Sequence, residues 1–290
     1  MDQDFLRRFL FEEFPVRGAL VKLNKSWLDV INVSGYSAKT SPILGRALAA
    51  AGLLTSNLKF EGTLSVQIQS AGSMRLIVGE CSDQGDLRGV VRHNEPDDKL
   101  EDIPPFKDAV LSINLQQADS GQRYQGIVPF VDGSLSKAVE AYFLQSEQLE
   151  TRMWLAVTDQ SAAGMLLQKM PDDDPESDHW NRLRILADTI TEAEMLNLDS
   201  EALLSRLFHE DDVRLFKPRA LTFNCSCSRR RVAGMLKALG EEEVRETLNE
   251  RQPITVRCEY CDRMYEFDAV DAAQLFARVE ASPPGPQAIQ

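Results

Sequence analysis

The chain of 290 residues lacks most of the features that would place it in a familiar class at sight. No run approaches the roughly 18 consecutive apolar residues of a membrane span, so no membrane partner is expected. Met1 is followed by Asp2, Asp4 and the pair Arg7-Arg8, not by an apolar stretch with a small-residue cleavage site, and a cytoplasmic location is the expectation. There is no GxGxxG, P-loop, HExxH or GxSxG motif, which removes the commonest cofactor-, nucleotide- and nucleophile-based readings. The three histidines, His93, His179 and His209, are scattered. Basic charge is also short: 32 lysines and arginines face 45 acids, a net charge of −13. The resulting pI near 4.8 argues against a nucleic-acid backbone as the main partner. Apolar residues at 43% and charged residues at 27% are ordinary for a globular chain and exclude wholesale disorder. The length allows one large domain or two smaller ones.

The negative charge is unevenly placed. Residues 171–212 carry thirteen acids against three bases, a net of −10, and so hold most of the total. The cysteine-bearing segment 225–267 has eight of each and is neutral. A charge run is ordinarily a solvated surface, but self-repulsion also suits a weakly folded linker. The stretch is not low in complexity. Trp180, Leu183, Leu186, Ala187 and Ile190 recur at helical spacing, Thr191 and Glu194 fit a capping box, and Leu203, Leu204, Leu207 and Phe208 form a second stripe. Amphipathic helices this short need a surface to lie on.

Upstream, residues 1–170 read as an α+β body. Ser41 as N-cap with Pro42 at the first helical position starts a helix that runs to Leu54. Leu64, Val66 and Ile68 share one face of a strand; Leu76 with Val78, and Leu111 with Ile113 and Leu115, do likewise. Few crossover helices fit between these segments, which predicts a mostly antiparallel sheet. A helix is expected from Leu135 to Glu147 with Val139, Tyr142 and Phe143 on one stripe, then strands at Met153–Val157 and Gly164–Leu167. The tail 281–290, with Pro283, Pro284 and Pro286, reads as disordered.

Four of the five cysteines fall in the last quarter of the chain. Cys225-Ser226-Cys227 is a CxC pair, Cys258-Glu259-Tyr260-Cys261 is a CxxC pair, and 30 residues separate them. In a cytosolic chain such pairs are metal-binding or redox-active before they are structural disulfides. Four thiolates make a tetrahedral sulfur site whose natural occupant is zinc. Val232, Leu236 and Leu239 give one helix of the surrounding unit, Val244 and Leu248 a second, and Ile254–Phe267 a hairpin with the CxxC near its turn. A unit of about 45 residues has too small a core to stand alone, so the metal would supply much of its folding free energy. Arg229, Arg230 and Arg231, with Arg257 and Arg263, would favour thiolates, or else balance Glu241, Glu242 and Glu243. Either close pair could form a disulfide once zinc leaves. Cys81 stands apart and reads as a small buried residue. His209 could touch the zinc unit, but a satisfied structural histidine is the simpler reading.

With these residues in view, the chain resembles the redox-regulated 33-kDa heat-shock chaperone family of bacteria. The resemblance covers nearly all of it and rests on Tyr142–Leu149 (YFLQSEQL), Arg206–Glu210 (RLFHE), Phe223–Ser228 (FNCSCS) and Cys258–Cys261 (CEYC). It implies an α+β body (1–170), a metastable acidic helical linker (171–222) and a zinc-binding redox switch (223–280). It implies that Cys225, Cys227, Cys258 and Cys261 hold one Zn2+ per chain, and that oxidation pairs Cys225 with Cys227 and Cys258 with Cys261. The implied function is an ATP-independent holdase, not an enzyme. It would be an inactive monomer when reduced and, after zinc loss and linker unfolding, a homodimer that binds unfolding clients. Against this stand a zinc-dependent nucleic-acid-binding protein, supported by Arg229–Arg231 and opposed by the net charge, a thiol–disulfide oxidoreductase without the βαβ context its CxxC needs, and a constitutive structural zinc module.

Overall fold

The computed structural model describes residues 4–34, 36, 38–57, 61–93, 105–171 and 178–277. The acidic residues 172–177 and the tail 281–290 lie outside that set. The chain divides into two compact units, Met1–Cys225 and Ser226–Gln290.

In the first unit, β1 (Phe5–Phe11) and β2 (Val16–Leu23) precede α1 (Lys25–Ser34) and α2 (Ser41–Leu54). Five strands follow: β3 (Gly62–Gln69), β4 (Met74–Ser82), β5 (Asp86–His93), β6 (Val110–Gln117) and β7 (Arg123–Pro129). Then come α3 (Leu135–Tyr142), β8 (Thr151–Val157), β9 (Ala162–Lys169), α4 (His179–Ala187), α5 (Glu192–Asn197), α6 (Ser200–Phe208) and the short strands β10 (Val213–Leu215), β11 (Arg219–Ala220) and β12 (Thr222–Phe223). The strands form two sheets, not one. The first runs β10-β1-β2-β9-β8 with β11 also on β1, and every pairing in it is antiparallel. The second runs β12-β5-β4-β3-β6-β7, antiparallel except for the short parallel pair β12–β5.

α2 is the spine between the sheets, touching strands of both. Its sequence is apolar all round, as a helix enclosed on every side must be, and eleven of its fourteen residues are buried. Its cap differs from the expectation: Thr40 is the N-cap, and Ser41 is already helical, its hydroxyl donating to the Tyr36 carbonyl at 3.3 Å. The second sheet can come this close only at glycine. A Cβ on Gly79 would lie 2.5 Å from the backbone of Ala47. This fixes which face of β4 meets the helix. Ile77, Gly79 and Cys81 face α2, whereas Leu76 and Val78 share the opposite face. The face of β6 that carries Leu111 and Ile113 does point into the core. The predicted helix 135–147 stops at Tyr142 and continues as a wider turn through Phe143–Glu147 that ends at Gln148, whose φ is 56°.

The first sheet is apolar on both faces. Leu6, Ala19, Val21 and Leu166 face the α2 core. Phe9, Phe11, Val16, Leu20, Met165 and Leu167 face the other way, onto Trp180, Leu183, Ala187, Leu203, Leu204, Leu207 and Phe208. The acidic helices therefore lie on the outer face of this sheet, and Phe208 meets Phe11 edge-on at 5.0 Å. Polar contacts pin the layer. Trp180 donates its indole N–H to Glu150 at 2.8 Å; Arg152 binds Asp188 at 2.9 Å; Arg7 binds Glu201 at 2.6 Å; Arg182 pairs with Asp211, and Arg206 with Glu194. Buried Lys22 donates to the Leu198 carbonyl at the end of α5, at 3.4 Å, where the helix dipole favours a cation. The Thr191–Glu194 capping box is formed. Beyond α6 the acidic stretch gives way to strand: β10 and β11 join the first sheet and β12 the second.

Candidate metal centre

The second unit contains α7 (Arg229–Leu239), α8 (Glu241–Glu250), β13 (Ile254–Arg257), β14 (Met264–Phe267) and α9 (Ala269–Phe276). Its core is small: Leu236, Val244, Leu248, Ile254, Tyr265, Phe267 and Ala272, with Cys227 and Cys258 packed against them. Leu239, expected on the inner stripe of α7, is 59% exposed, because it is the last residue before the turn at Gly240.

Two local structures present the sulfurs. The antiparallel β13–β14 hairpin carries the CxxC in its turn. Cys258 N–H donates to the Arg263 carbonyl at 2.9 Å and Asp262 N–H to the Cys258 carbonyl at 2.8 Å, with Asp262 left-handed at φ 59°. The CxC precedes α7, whose first turn is capped by the Ser228 side chain accepting from Arg231 N–H. Upstream, the chain into Cys225 is fastened. Leu221 N–H donates to the Asp4 carbonyl at 3.0 Å, Phe223 N–H to the Ser26 hydroxyl at 3.1 Å, and Asn224 N–H to the Leu87 carbonyl at 3.0 Å.

The Sγ atoms of Cys225, Cys227, Cys258 and Cys261 all lie within 4.8 Å of one another, and each residue is half-buried. The Sγ atoms of Cys227 and Cys261 are 3.3 Å apart. Four sulfurs at about 2.3 Å from a tetrahedral ion stand about 3.8 Å apart. The donor set thus fits a single thiophilic metal ion such as zinc in both number and spacing.

The arginines divide by role. Arg229 stacks over Phe267 at 4.3 Å, donates to the Glu266 carbonyl at 2.6 Å and pairs with Asp271 at 2.7 Å. Arg231 donates to the Ser226 carbonyl at 2.9 Å, and Arg257 pairs with Asp262 at 3.0 Å. Arg263 is the one the sulfurs feel. A hydrogen bond to Tyr265, then the charge on Cys227 and Cys261, push its guanidinium above the ordinary value. Tyr265, which the sequence reading did not single out, donates its phenol to Cys227 Sγ at 3.0 Å, and this bond pushes the phenol up. Its signal was the alternation Tyr265/Phe267 on a short strand, since a buried phenol needs a partner.

The remaining candidates fall elsewhere. Cys81 is fully buried in β4, 3.6 Å from the Thr55 hydroxyl, and burial pushes its thiol up to about 11, which makes it a poor nucleophile. His209 follows α6 with its side chain exposed, 4.0 Å from Glu210. His179 stacks on Phe14 at 4.0 Å. Among the described residues no helix is long and apolar enough to cross a membrane.

Comparison with known proteins covers nearly the whole chain. A family model described as Hsp33 protein matches residues 4–268. The chain is 42% identical over 276 residues to the 33 kDa chaperonin of Methylobacillus flagellatus, covering 94% of each. It is 43% identical over 286 residues to the 33 kDa chaperonin of Azotobacter vinelandii, covering 95% of each. The crystal structure of the 33 kDa chaperonin (heat shock protein 33 homolog) of Thermotoga maritima matches with a TM-score of 0.78 over 93% of this chain and 97% of that one, at 20% identity, a likeness of fold.

Proposed function

The chain belongs to the Hsp33 family of chaperones, and from that premise we propose that it is a redox-regulated, ATP-independent holdase of the cytoplasm rather than an enzyme. In this reading residues 1–170 are the body, 171–222 the movable segment and 223–280 the switch. Reduced, the chain is an inactive monomer whose Cys225, Cys227, Cys258 and Cys261 hold one zinc ion. The observation that carries the reading is the convergence of those four sulfurs within 4.8 Å in a unit whose core is otherwise seven buried residues.

The chemistry of the switch balances with peroxide as oxidant. In each pair, one thiolate attacks peroxide, the O–O bond breaks, and a sulfenic acid and hydroxide form. The second thiolate then displaces hydroxide from that sulfur, closing the S–S bond. Two electrons pass from sulfur to peroxide, and the two hydroxides take up solvent protons to become water. The pairs are Cys225 with Cys227 and Cys258 with Cys261. Zinc supplies a structural crosslink, and a disulfide consumes the thiolates that hold it. Structural zinc contributes about 10–16 kcal/mol to the folding of small units, more than so small a core can replace.

The layer α4–α6 gives the switch something to uncover. Six apolar side chains of the first sheet lie beneath it, Phe9, Phe11, Val16, Leu20, Met165 and Leu167. Each is worth roughly 1.5–3 kcal/mol of burial, so once exposed they form an apolar face able to hold an unfolding client or a second copy of the chain. The net charge of −13 keeps such a molecule in solution. The test follows zinc release and suppression of client aggregation together, after peroxide at raised temperature. Both are expected to rise in step; zinc that stays bound, or equal suppression by reduced and oxidised protein, overturns the reading.

A further inference from the structure

We propose that Tyr265 is a positioning residue of the sulfur centre, and that its O–H hydrogen bond to Cys227 sets how fast the centre yields to oxidants. The proposal rests on reading the four cysteines as a zinc-bearing redox centre. Tyr265 lies four residues after Cys261, on the strand that leaves the CxxC turn. Burial alternates along that strand, so Tyr265 and Phe267 point into the core while Met264 and Glu266 point out. The register places Tyr265 opposite Val256, which holds the ring beneath the turn. Its phenol oxygen is 3.0 Å from Cys227 Sγ, and Cys227 Sγ is itself 3.3 Å from Cys261 Sγ. The donor therefore lands on a sulfur that belongs to the cluster.

A thiolate that accepts a hydrogen bond has part of its lone-pair density committed to the donor. To attack peroxide it must give up that bond, so the barrier rises. In the zinc-held state the same bond spreads the excess negative charge of four sulfurs on one divalent ion. Both effects slow the loss of Cys227 from the centre, and neither needs the ring itself to change. Tyr265→Phe removes one O–H and keeps the packing against Ile254 and Phe267.

The test uses the full-length, zinc-loaded chain. Zinc release under excess peroxide, read with a chromophoric chelator, is expected to be roughly tenfold faster in Tyr265→Phe, the size expected for one hydrogen bond to a charged acceptor. Zinc content should stay at one per chain and thermal unfolding close to the parent's. Limited alkylation followed by fragment mass spectrometry should show Cys227 gaining reactivity relative to Cys258. Equal release rates overturn the proposal. So does a drop in zinc content with all four cysteines gaining alike, which marks a residue that merely supports the fold. If the parent protein keeps its zinc through peroxide, the redox reading fails, and the Cys227 alkylation ratio still decides for or against Tyr265.

Discussion

Phe208→Ala should turn on chaperone activity without any oxidant. Phe208 ends α6, is 2% exposed, and meets Phe11 of the first sheet edge-on at 5.0 Å and 84°. It is the large aromatic that α6 sets down on the outer sheet face. Truncating a buried phenylalanine costs about 3–5 kcal/mol. If α4–α6 open as a layer while the sheets stay folded, that cost falls on the closed form of the layer. At about 1.4 kcal/mol per factor of ten, the open population rises by roughly a hundred- to several-thousand-fold. Hydrogen exchange on the reduced, zinc-loaded variant should show faster exchange in α4 and α6, with β3 and β6 still protected. The same sample should suppress client aggregation and retain its zinc. Uniform loss of protection across the first unit would mean that the layer is not a separate cooperative element. A layer that opens without any gain in aggregation suppression would mean that the covered face is not the client surface.

Further outcomes follow from other parts of the molecule. Cys258→Ser, or a strong zinc chelator, should unfold 226–276 while the two sheets persist; far-UV circular dichroism with exchange mapping checks this, and wild-type zinc content in Cys258→Ser would remove that sulfur from the site. Gly79→Ala should destabilise the first unit by about 1–3 kcal/mol, because the new methyl meets the Ala47 backbone at 2.5 Å; thermal unfolding reads it, and an unchanged midpoint would show that α2 can retreat. Glu194 has its carboxyl held below the ordinary 4.5 by the Thr191 backbone N–H and hydroxyl, so the stability it gives is full above 4.5 and is lost as pH falls through the lowered value. Glu194→Gln should therefore lower the melting temperature at pH 7, and the difference from the parent should shrink as pH falls below 4.5 through the lowered value; a difference independent of pH would place the cause elsewhere.

The site was legible in the sequence to a greater degree than the body. Two cysteine pairs 30 residues apart name a candidate metal centre without any knowledge of the fold, because thiolate chemistry depends on residue type and spacing, and the fold brings the four sulfurs together. The Thr191–Glu194 box and the stripes of α4 and α6 were legible for the same reason: their partners are a few residues away. What escaped depends on distant partners. β2 hides because a strand buried on both faces has no alternation to read, and in β1 the pair Arg7-Arg8 interrupts the apolar pattern. β10, β11 and β12 are two or three residues long and pair with strands as much as two hundred residues earlier, so no local pattern marks them. The orientation of β4 turned on Gly79, whose importance lies in the helix that presses on it. The arginines were visible as a cluster, but only the fold separates Arg229 and Arg257, engaged in ion pairs, from Arg263 beside the sulfurs.

The double-faced first sheet bears on how the molecule would meet a client. Strands β1, β2, β9 and β8 pair with one another, and the sheet's other face is seated on α2, so neither contact is made through the acidic helices. Four neighbouring strands at about 4.8 Å spacing offer a stiff platform some 15–20 Å across. A platform that is already ordered gives up little freedom of its own on binding, so nearly all the ordering cost is borne by the guest. Such a surface gains little specificity from moulding itself to a partner. It would discriminate instead by availability, taking any chain whose apolar residues are already free to settle on it and ignoring those that would first have to unfold.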